Sequence, residues 1–465
     1  MHKTVVINAV GLSANLISAE HTPRLHALRT SNGWRAIDPV LPAVTTTVQS
    51  TYLTGLWPSD HGAVANGWYF RDTSEVRFWL QSNALVSGEK VWDAGRRRDP
   101  AFTCCNMFWW YNMYGTADYS VTPRPMYPAD GRKLPDVYSH PASLRDELQQ
   151  KLGTFPLFNF WGPATSIKAT RWIADASLEV DKQHDPTLTL IYLPHLDYVL
   201  QKEGPGTPLA TRNTQLAIDL RDLDGECGKL IDHYRSRNAR VLVLSEYGIT
   251  PVSRPVHLNR ALRKSGLLAT RVELGREILD AGASRAFAVA DHQIAHVYVR
   301  DPADVDRVRT VLENTPGVAR VLDGAGKREL HLDHARSGEL VALAADDAWF
   351  TYYFWLDDAK APDYARTVDI HRKPGYDPVE LFLDPAIRAP KLRIGWTLAR
   401  RKLGMRAMMD VIPLDATLVK GSHGLAARPP EEGALLMTTD PALLTAGPIP
   451  PIAVKDLILR HVFDE

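Results

Sequence analysis

Residues 41–62 read LPAVTTTVQSTYLTGLWPSDHG: three consecutive threonines, a helix-length run, and a turn closed by His61 and Gly62. A threonine at the start of a helix sits beside backbone N–H groups with no intrahelical partner and at the positive end of the helix dipole, so it is placed to meet an anion. One hydroxyl suffices for that contact. The remaining two of Thr45, Thr46 and Thr47 are expected to cap and pack the helix end, as threonine commonly does.

Outward from this stretch, the first 300 residues alternate short aliphatic runs with helical patterns. TVVIN (4–8), FTCCNM (102–107), TLTLIYL (187–193) and ARVLVLS (239–245) are apolar throughout and lack a two-residue alternation, which predicts strands buried on both faces. Helical patterns over residues 168–182 and 211–233 lie between them. This order predicts an α/β fold whose mainly parallel sheet is sandwiched by helices, with functional groups just past the carboxyl ends of the strands. From about residue 301 the character changes to helix, turn and strand, followed by the aromatic run WFTYYFWLDD. The expected organisation is therefore a core over 1–299, an inserted small α+β cap over 300–395, and a return to the core over 396–465 through LRIGWTLARRKLG, GSHG, ALLMT and a last helix near 452–462. A second insertion is expected at 108–138, rich in aromatics, proline and glycine.

The 465 residues are 45% apolar and carry 54 basic against 54 acidic side chains, enough for a large core and without the bulk charge that signals nucleic acid. No run of about 18 apolar residues offers a membrane span, so no membrane partner is expected. The amino terminus MHKTVVINAVGL reads as a core strand and not as a signal peptide, which predicts a cytoplasmic protein. Cys104, Cys105 and Cys227 lack metal-site spacing and are expected as buried thiols without a disulfide.

The strand ends gather oxygen-bearing side chains. Asn8 follows TVVI, His195 and Asp197 follow TLTLIYLP, and Glu246 and Tyr247 follow RVLVLS, so three strands deliver such groups to one edge of a sheet, as a hard or borderline cation requires. At any single position the alternative is a turn or capping residue.

With the proline three residues before Thr45, the Thr54-Gly55-Leu56 and His61-Gly62 turn, Asp197 followed by Gln201 and Gly204-Pro205, and Gly421-Ser-His-Gly424, the chain resembles the alkaline phosphatase superfamily. Within it, the similarity is to the type I phosphodiesterase/nucleotide pyrophosphatase branch, and it spans Asn8 to His423. The resemblance implies an alkaline-phosphatase-like core, Thr45 as nucleophile, and a divalent metal ion held by Thr45, Asn8, Asp197, Glu246 and His423. The family pattern has Asp at Asn8, His at Gln201, and Asp-His at Glu246-Tyr247. Carboxamide and phenol groups are weaker ligands for zinc, so a harder cation such as manganese or magnesium gains ground, and Gln201 and Tyr247 become pocket hydrogen-bonding groups. His195 is a further replacement ligand if it lies in a loop. His371, Arg372 and Lys373, ahead of a Pro-Gly turn in the expected cap, form either a solvated loop or a cation cluster for an anionic substrate. The function implied is metal-dependent hydrolysis of a phosphodiester or pyrophosphate bond in a small phosphorylated substrate. The alternatives are a catalytically silent homologue that binds a phospho-metabolite or partner, and a hydrolase of a phosphonate, sulfate or phosphomonoester.

Overall fold

The computed structural model describes residues 1–205, 214–426 and 429–464. Its main sheet has eight strands. Seven are β1 (Thr4–Ala9), β2 (Cys104–Met107), β3 (Tyr119–Pro123), β4 (Val137–His140), β5 (Leu188–Leu193), β6 (Arg240–Leu244) and, late in the chain, Leu435–Thr438; the eighth is the two-residue edge Arg35–Ala36. Across the sheet the order is Arg35–Ala36, Leu435–Thr438, β6, β1, β5, β2, β3, β4. The run from β6 to β3 is parallel, and the pairs at both ends are antiparallel. All residues of β1 and β5 are buried, as expected of strands covered by helices on both faces. The helices that matter to the site are α1 (Thr45–Thr54), α2 (Ile167–His184), α3 (His195–Glu203), α4 (Gln215–Ser236) and α5 (Pro390–Lys402). Residues 211–213 of the second expected helix lie outside the described residues.

Register aligns the strand ends. Asn8 on β1 is opposite Tyr192 on β5 and Leu244 on β6, so the loops after all three strands leave from one edge. The second sheet is antiparallel: β7 (Ala286–Asp291), β8 (Ile294–Val299), β9 (Val318–Leu322) and β10 (Leu340–Ala344), in the order β7, β8, β10, β9. Its own hydrophobic core includes Trp349, Phe350, Tyr352, Tyr353, Phe354 and Trp355, all buried.

Three expectations about organisation differ from what is seen. The second sheet begins at Ala286, upstream of residue 300, because the hairpin of residues 286–299 is as apolar as a core strand and reads like one in sequence. The aromatic stretch 108–138 is not wholly an insertion, since β3 and β4 extend the main sheet's edge and bracket its loop. The expected return through LRIGWTLARRKLG does not enter the core: α5 covers that stretch, and Thr397 is its one buried residue. The chain rejoins the main sheet only at Leu435–Thr438, followed by a final helix, Val454–Phe463. No described helix is long and apolar enough to cross a membrane.

Candidate active site

α1 begins at Thr45 itself, after an extended Val44, and the whole helix is buried. The expected division of labour among the threonines differs. Thr46 Oγ1 donates to the Ala65 carbonyl at 2.9 Å, its N–H is capped by Asn66 Oδ1 at 3.0 Å, and Thr47 Oγ1 has no partner among the described residues. The cap is thus supplied from a distant loop. Asn66 is in turn held by Asp291 on β7, which accepts from its N–H at 2.7 Å and its carboxamide at 3.2 Å.

Two carbonyls fix the loop before α1. Ala43 N–H donates to Gly424 O at 3.1 Å, and His423 Nδ1 lies 2.7 Å from Ala43 O. Donation from Nδ1 leaves Nε2 as the lone-pair nitrogen, 3.7 Å from Asp197 Oδ1. The first glycine of Gly-Ser-His-Gly is required by packing: a Cβ on Gly421 would lie 2.1 Å from the carbonyl oxygen of Leu200 on α3. The His423 ring stacks on Tyr247 at 3.8 Å between centroids and meets His292 at 3.5 Å.

Thr45, Asp197, Tyr247 and His423 line one cavity of about 1550 Å³. Tyr247 links two of them, with its hydroxyl 2.9 Å from Thr45 Oγ1 and 3.4 Å from Asp197 Oδ1. Behind these lie Asn8, Gln201 and Glu246, all buried. Asn8 Nδ2 and Gln49 Nε2 each donate to Glu246 Oε1 at 2.6 Å, and Gln201 Nε2 donates to Asp197 Oδ2 at 2.7 Å. Burial pushes the Asp197 carboxyl up to about 7 against the hydrogen bonds from Gln201 and Tyr247. It pushes Glu246 up to about 8 against those from Gln49, Asn8 and Thr45. Tyr247, buried and beside both carboxyls, is held well above the ordinary phenol range and is neutral.

A bound cation suits part of this arrangement. Among the described residues neither Asp197 nor Glu246 pairs with lysine or arginine, and Asn8 Oδ1 and Glu246 Oε2 are buried oxygens without a hydrogen-bond partner. Two buried carboxyls without a countercharge stay neutral or take a cation from outside. The donors fit one cation better than two, because three amide groups already occupy carboxylate oxygens. Among the described residues a tighter group of His and Asp ligand atoms, within 4.8 Å of one another, is His195, Asp219 and Asp222. It does not line the cavity, since His195 turns away from Asp197 toward α4, its Nε2 3.2 Å from Asp219 Oδ1.

The three expected cations divide. His371 and Arg372 line the cavity; Arg372 also faces Asp363 at 3.3 Å and Asp369 at 3.8 Å. Lys373 does not reach it. Its side chain is fully buried, 2.7 Å from both Asp377 and Glu380, so it is structural where a substrate contact was expected. Sequence reasoning missed Gln49, one turn after Thr45 on the same face, a spacing that could have revealed it. It also missed Tyr192, His292 and Tyr376, which line the cavity. Tyr376 donates to Gln201 Oε1 at 2.9 Å and stacks on His292 at 3.8 Å. His292 and Tyr376 arrive on the second sheet and its following loop, so no local pattern announces them.

A family model described as type I phosphodiesterase/nucleotide pyrophosphatase matches residues 4–377. An uncharacterized pyrophosphatase/phosphodiesterase of Schizosaccharomyces pombe is 25% identical over 260 residues, covering 54% of this chain and 45% of that protein, so the match spans under half of this relative's length. Among solved structures, an inactive variant of murine ectonucleotide pyrophosphatase/phosphodiesterase 5 in complex with AMP superposes with a TM-score of 0.60 at 15% identity, covering 100% of this chain and 95% of that one. Phosphonoacetate hydrolase from Sinorhizobium meliloti, in complex with phosphonoformate, gives 0.60 at 12% identity over 99% and 96%. At these identities the superpositions establish a shared fold.

Proposed function

Because the chain belongs to the type I phosphodiesterase/nucleotide pyrophosphatase family, we propose that it hydrolyses a phosphodiester or pyrophosphate bond through Thr45. The observation that carries this reading is the position of Thr45: first residue of a buried helix, facing a large cavity, with its hydroxyl 2.9 Å from a neutral tyrosine that also reaches a carboxyl group. Thr45 Oγ1 forms the new P–O bond, and the leaving oxygen departs with the electron pair of the bond that breaks. The threonine proton passes to the Tyr247 oxygen as the Tyr247 proton moves to Asp197, so tyrosine ends neutral and the carboxylate holds the proton. The positive end of α1 favours the charge that collects on the phosphoryl oxygens. Water then cleaves the phosphothreonine and regenerates the hydroxyl.

A divalent cation held by Asp197 and His423, with Thr45, Glu246 and the Asn8 carbonyl as weaker donors, would supply charge neutralisation and lower the cost of the threonine alkoxide. His371 and Arg372 stand at the cavity wall for the part of the substrate that leaves. The buried, unpaired Cys104, Cys105 and Cys227 support a cytoplasmic setting.

One observation favours a second reading, a binder without turnover: amide donors of Asn8, Gln49 and Gln201 sit on the oxygens that would ligate a metal. Turnover of nitrophenyl phosphodiesters, phosphomonoesters and phosphonates with manganese, magnesium or zinc separates the two. The enzyme reading expects activity that falls at least 10³-fold in Thr45→Ala and is lost to chelator. Undiminished turnover in Thr45→Ala removes the nucleophile assignment, and no turnover with any ion favours the binder.

A further inference from the structure

α5 presents the wrong face to water. At about 3.6 residues per turn, Leu392, Trp396, Ala399 and Leu403 fall on one stripe, and this stripe points outward: Leu392 is 76% exposed, Trp396 67% and Leu403 77%. Arg393 and Arg400 flank it on one side, and Lys391 and Lys402 on the other. The opposite face carries the buried Thr397 and the half-buried Ile394. A helix resting on a soluble core normally turns its apolar stripe inward and its charges outward. Over residues 385–409 the chain has seven lysines and arginines and no acidic residue, and Arg393 pairs with Asp410 just beyond.

The same segment borders the cavity that holds Thr45. Leu398, Met405 and Met408 line that cavity and are themselves exposed, at 52%, 43% and 51%. Exposed apolar surface thus lies on the outer stripe of α5 and also, past Lys391 and Lys402, at Leu398, Met405 and Met408 on the cavity wall.

We propose that residues 390–408 are an interfacial docking element that lays the outer stripe of α5 flat on an anionic lipid surface, beside the cavity that the other side of the helix lines. An exposed apolar stripe bordered by lysine and arginine on both sides, with a tryptophan within it, matches the layering of such a surface: acyl boundary beneath the stripe, acidic headgroups beside it. A second copy of this chain is a poorer occupant, since stacking two such faces sets the four cations that flank one stripe against the four of the other. This is surface contact and not a span. The ligand class follows, and this part rests on the reading of Thr45 as nucleophile: a phosphate amphiphile resident in the membrane, its phosphoryl group at Thr45 and its apolar part along Leu398, Met405 and Met408.

The test uses the full chain and its Trp396→Ala/Leu403→Ala variant, exposed positions that do not line the cavity, in sedimentation with vesicles of phosphatidylcholine alone or mixed equally with phosphatidylglycerol. The proposal expects binding to the mixed vesicles that is at least tenfold weaker without phosphatidylglycerol, weaker at high salt, and at least tenfold weaker in the variant. No binding to the mixed vesicles, or equal binding by the variant, overturns it. So does concentration-dependent dimerisation in gel filtration that the variant abolishes without any vesicle binding, which assigns the face to a second copy. For the ligand, the variant should slow hydrolysis of a vesicle-borne phosphodiester at least fivefold and leave a soluble nitrophenyl diester unchanged; equal slowing of both rejects the ligand class. If neither ester turns over while sedimentation behaves as expected, the reading of Thr45 has failed and the docking stands.

Discussion

Replacing Lys373 by methionine separates a structural lysine from a substrate-binding one. Its ammonium lies 2.7 Å from Asp377 Oδ2 and 2.7 Å from Glu380 Oε1, and the three side chains are 0%, 3% and 1% exposed. Burial alone draws the ammonium down, but the two carboxylates outweigh it and hold it above the ordinary lysine range. The methionine variant keeps the volume and leaves two carboxyls buried without a cation. Removing one partner of a buried ion pair typically costs about 3–5 kcal/mol. Glu380 keeps the Trp161 indole N–H at 2.6 Å and the Asp369 N–H at 2.8 Å, whereas among the described residues the Asp377 carboxyl keeps only the Val379 N–H at 3.2 Å. Asp377 is therefore the group left most exposed to the loss, and Lys373→Met/Asp377→Asn should recover about half of it. The assay is urea unfolding followed by circular dichroism, with Michaelis constants measured below the transition. A stability loss under about 1 kcal/mol together with a raised KM would refute the reasoning and return Lys373 to the ligand.

Two further outcomes are expected. Burial lowers His61 to about 3 and His296 to about 4, so below an unfolded value of about 6.5 the unfolded chain binds more protons and stability falls with falling pH, until about 4 for the His296 share and about 3 for that of His61. At pH 5 each buried imidazole should contribute a loss of up to about 2 kcal/mol, read as a lower urea midpoint than at pH 7; an unchanged slope in His61→Gln, which removes the ring that accepts from Ala63 N–H, would reject that share. Elemental analysis of protein dialysed without chelator should find one tightly held divalent metal equivalent, lost in His423→Ala; two retained equivalents, or indifference to His423→Ala, would overturn the one-cation assignment.

The sequence alone was enough for the frame. Wholly apolar runs such as TVVIN and TLTLIYL can be satisfied only inside a sheet covered on both faces, and parallel register then carries the ends of β1, β5 and β6 to one edge. Thr45 stood out among the three threonines through its place three residues after Pro42 in the pattern shared with the family, and the helix does begin there. Tertiary structure decided everything that depends on which neighbour arrives from elsewhere. Whether Lys373 meets a ligand or two buried carboxylates, and whether Thr46 caps its helix or is capped by Asn66, depends on loops distant in the chain. His292 and Tyr376 join the cavity only because the second sheet docks beside it. The stretch KLRIGWTLARRKL shows the limit most plainly. Its periodicity fixes that Leu392, Trp396 and Leu403 share a face, but a period carries no sign: it cannot state whether that face meets a core or the solvent. That sign is set by what the rest of the chain packs against α5, and here the chain packs against the other side.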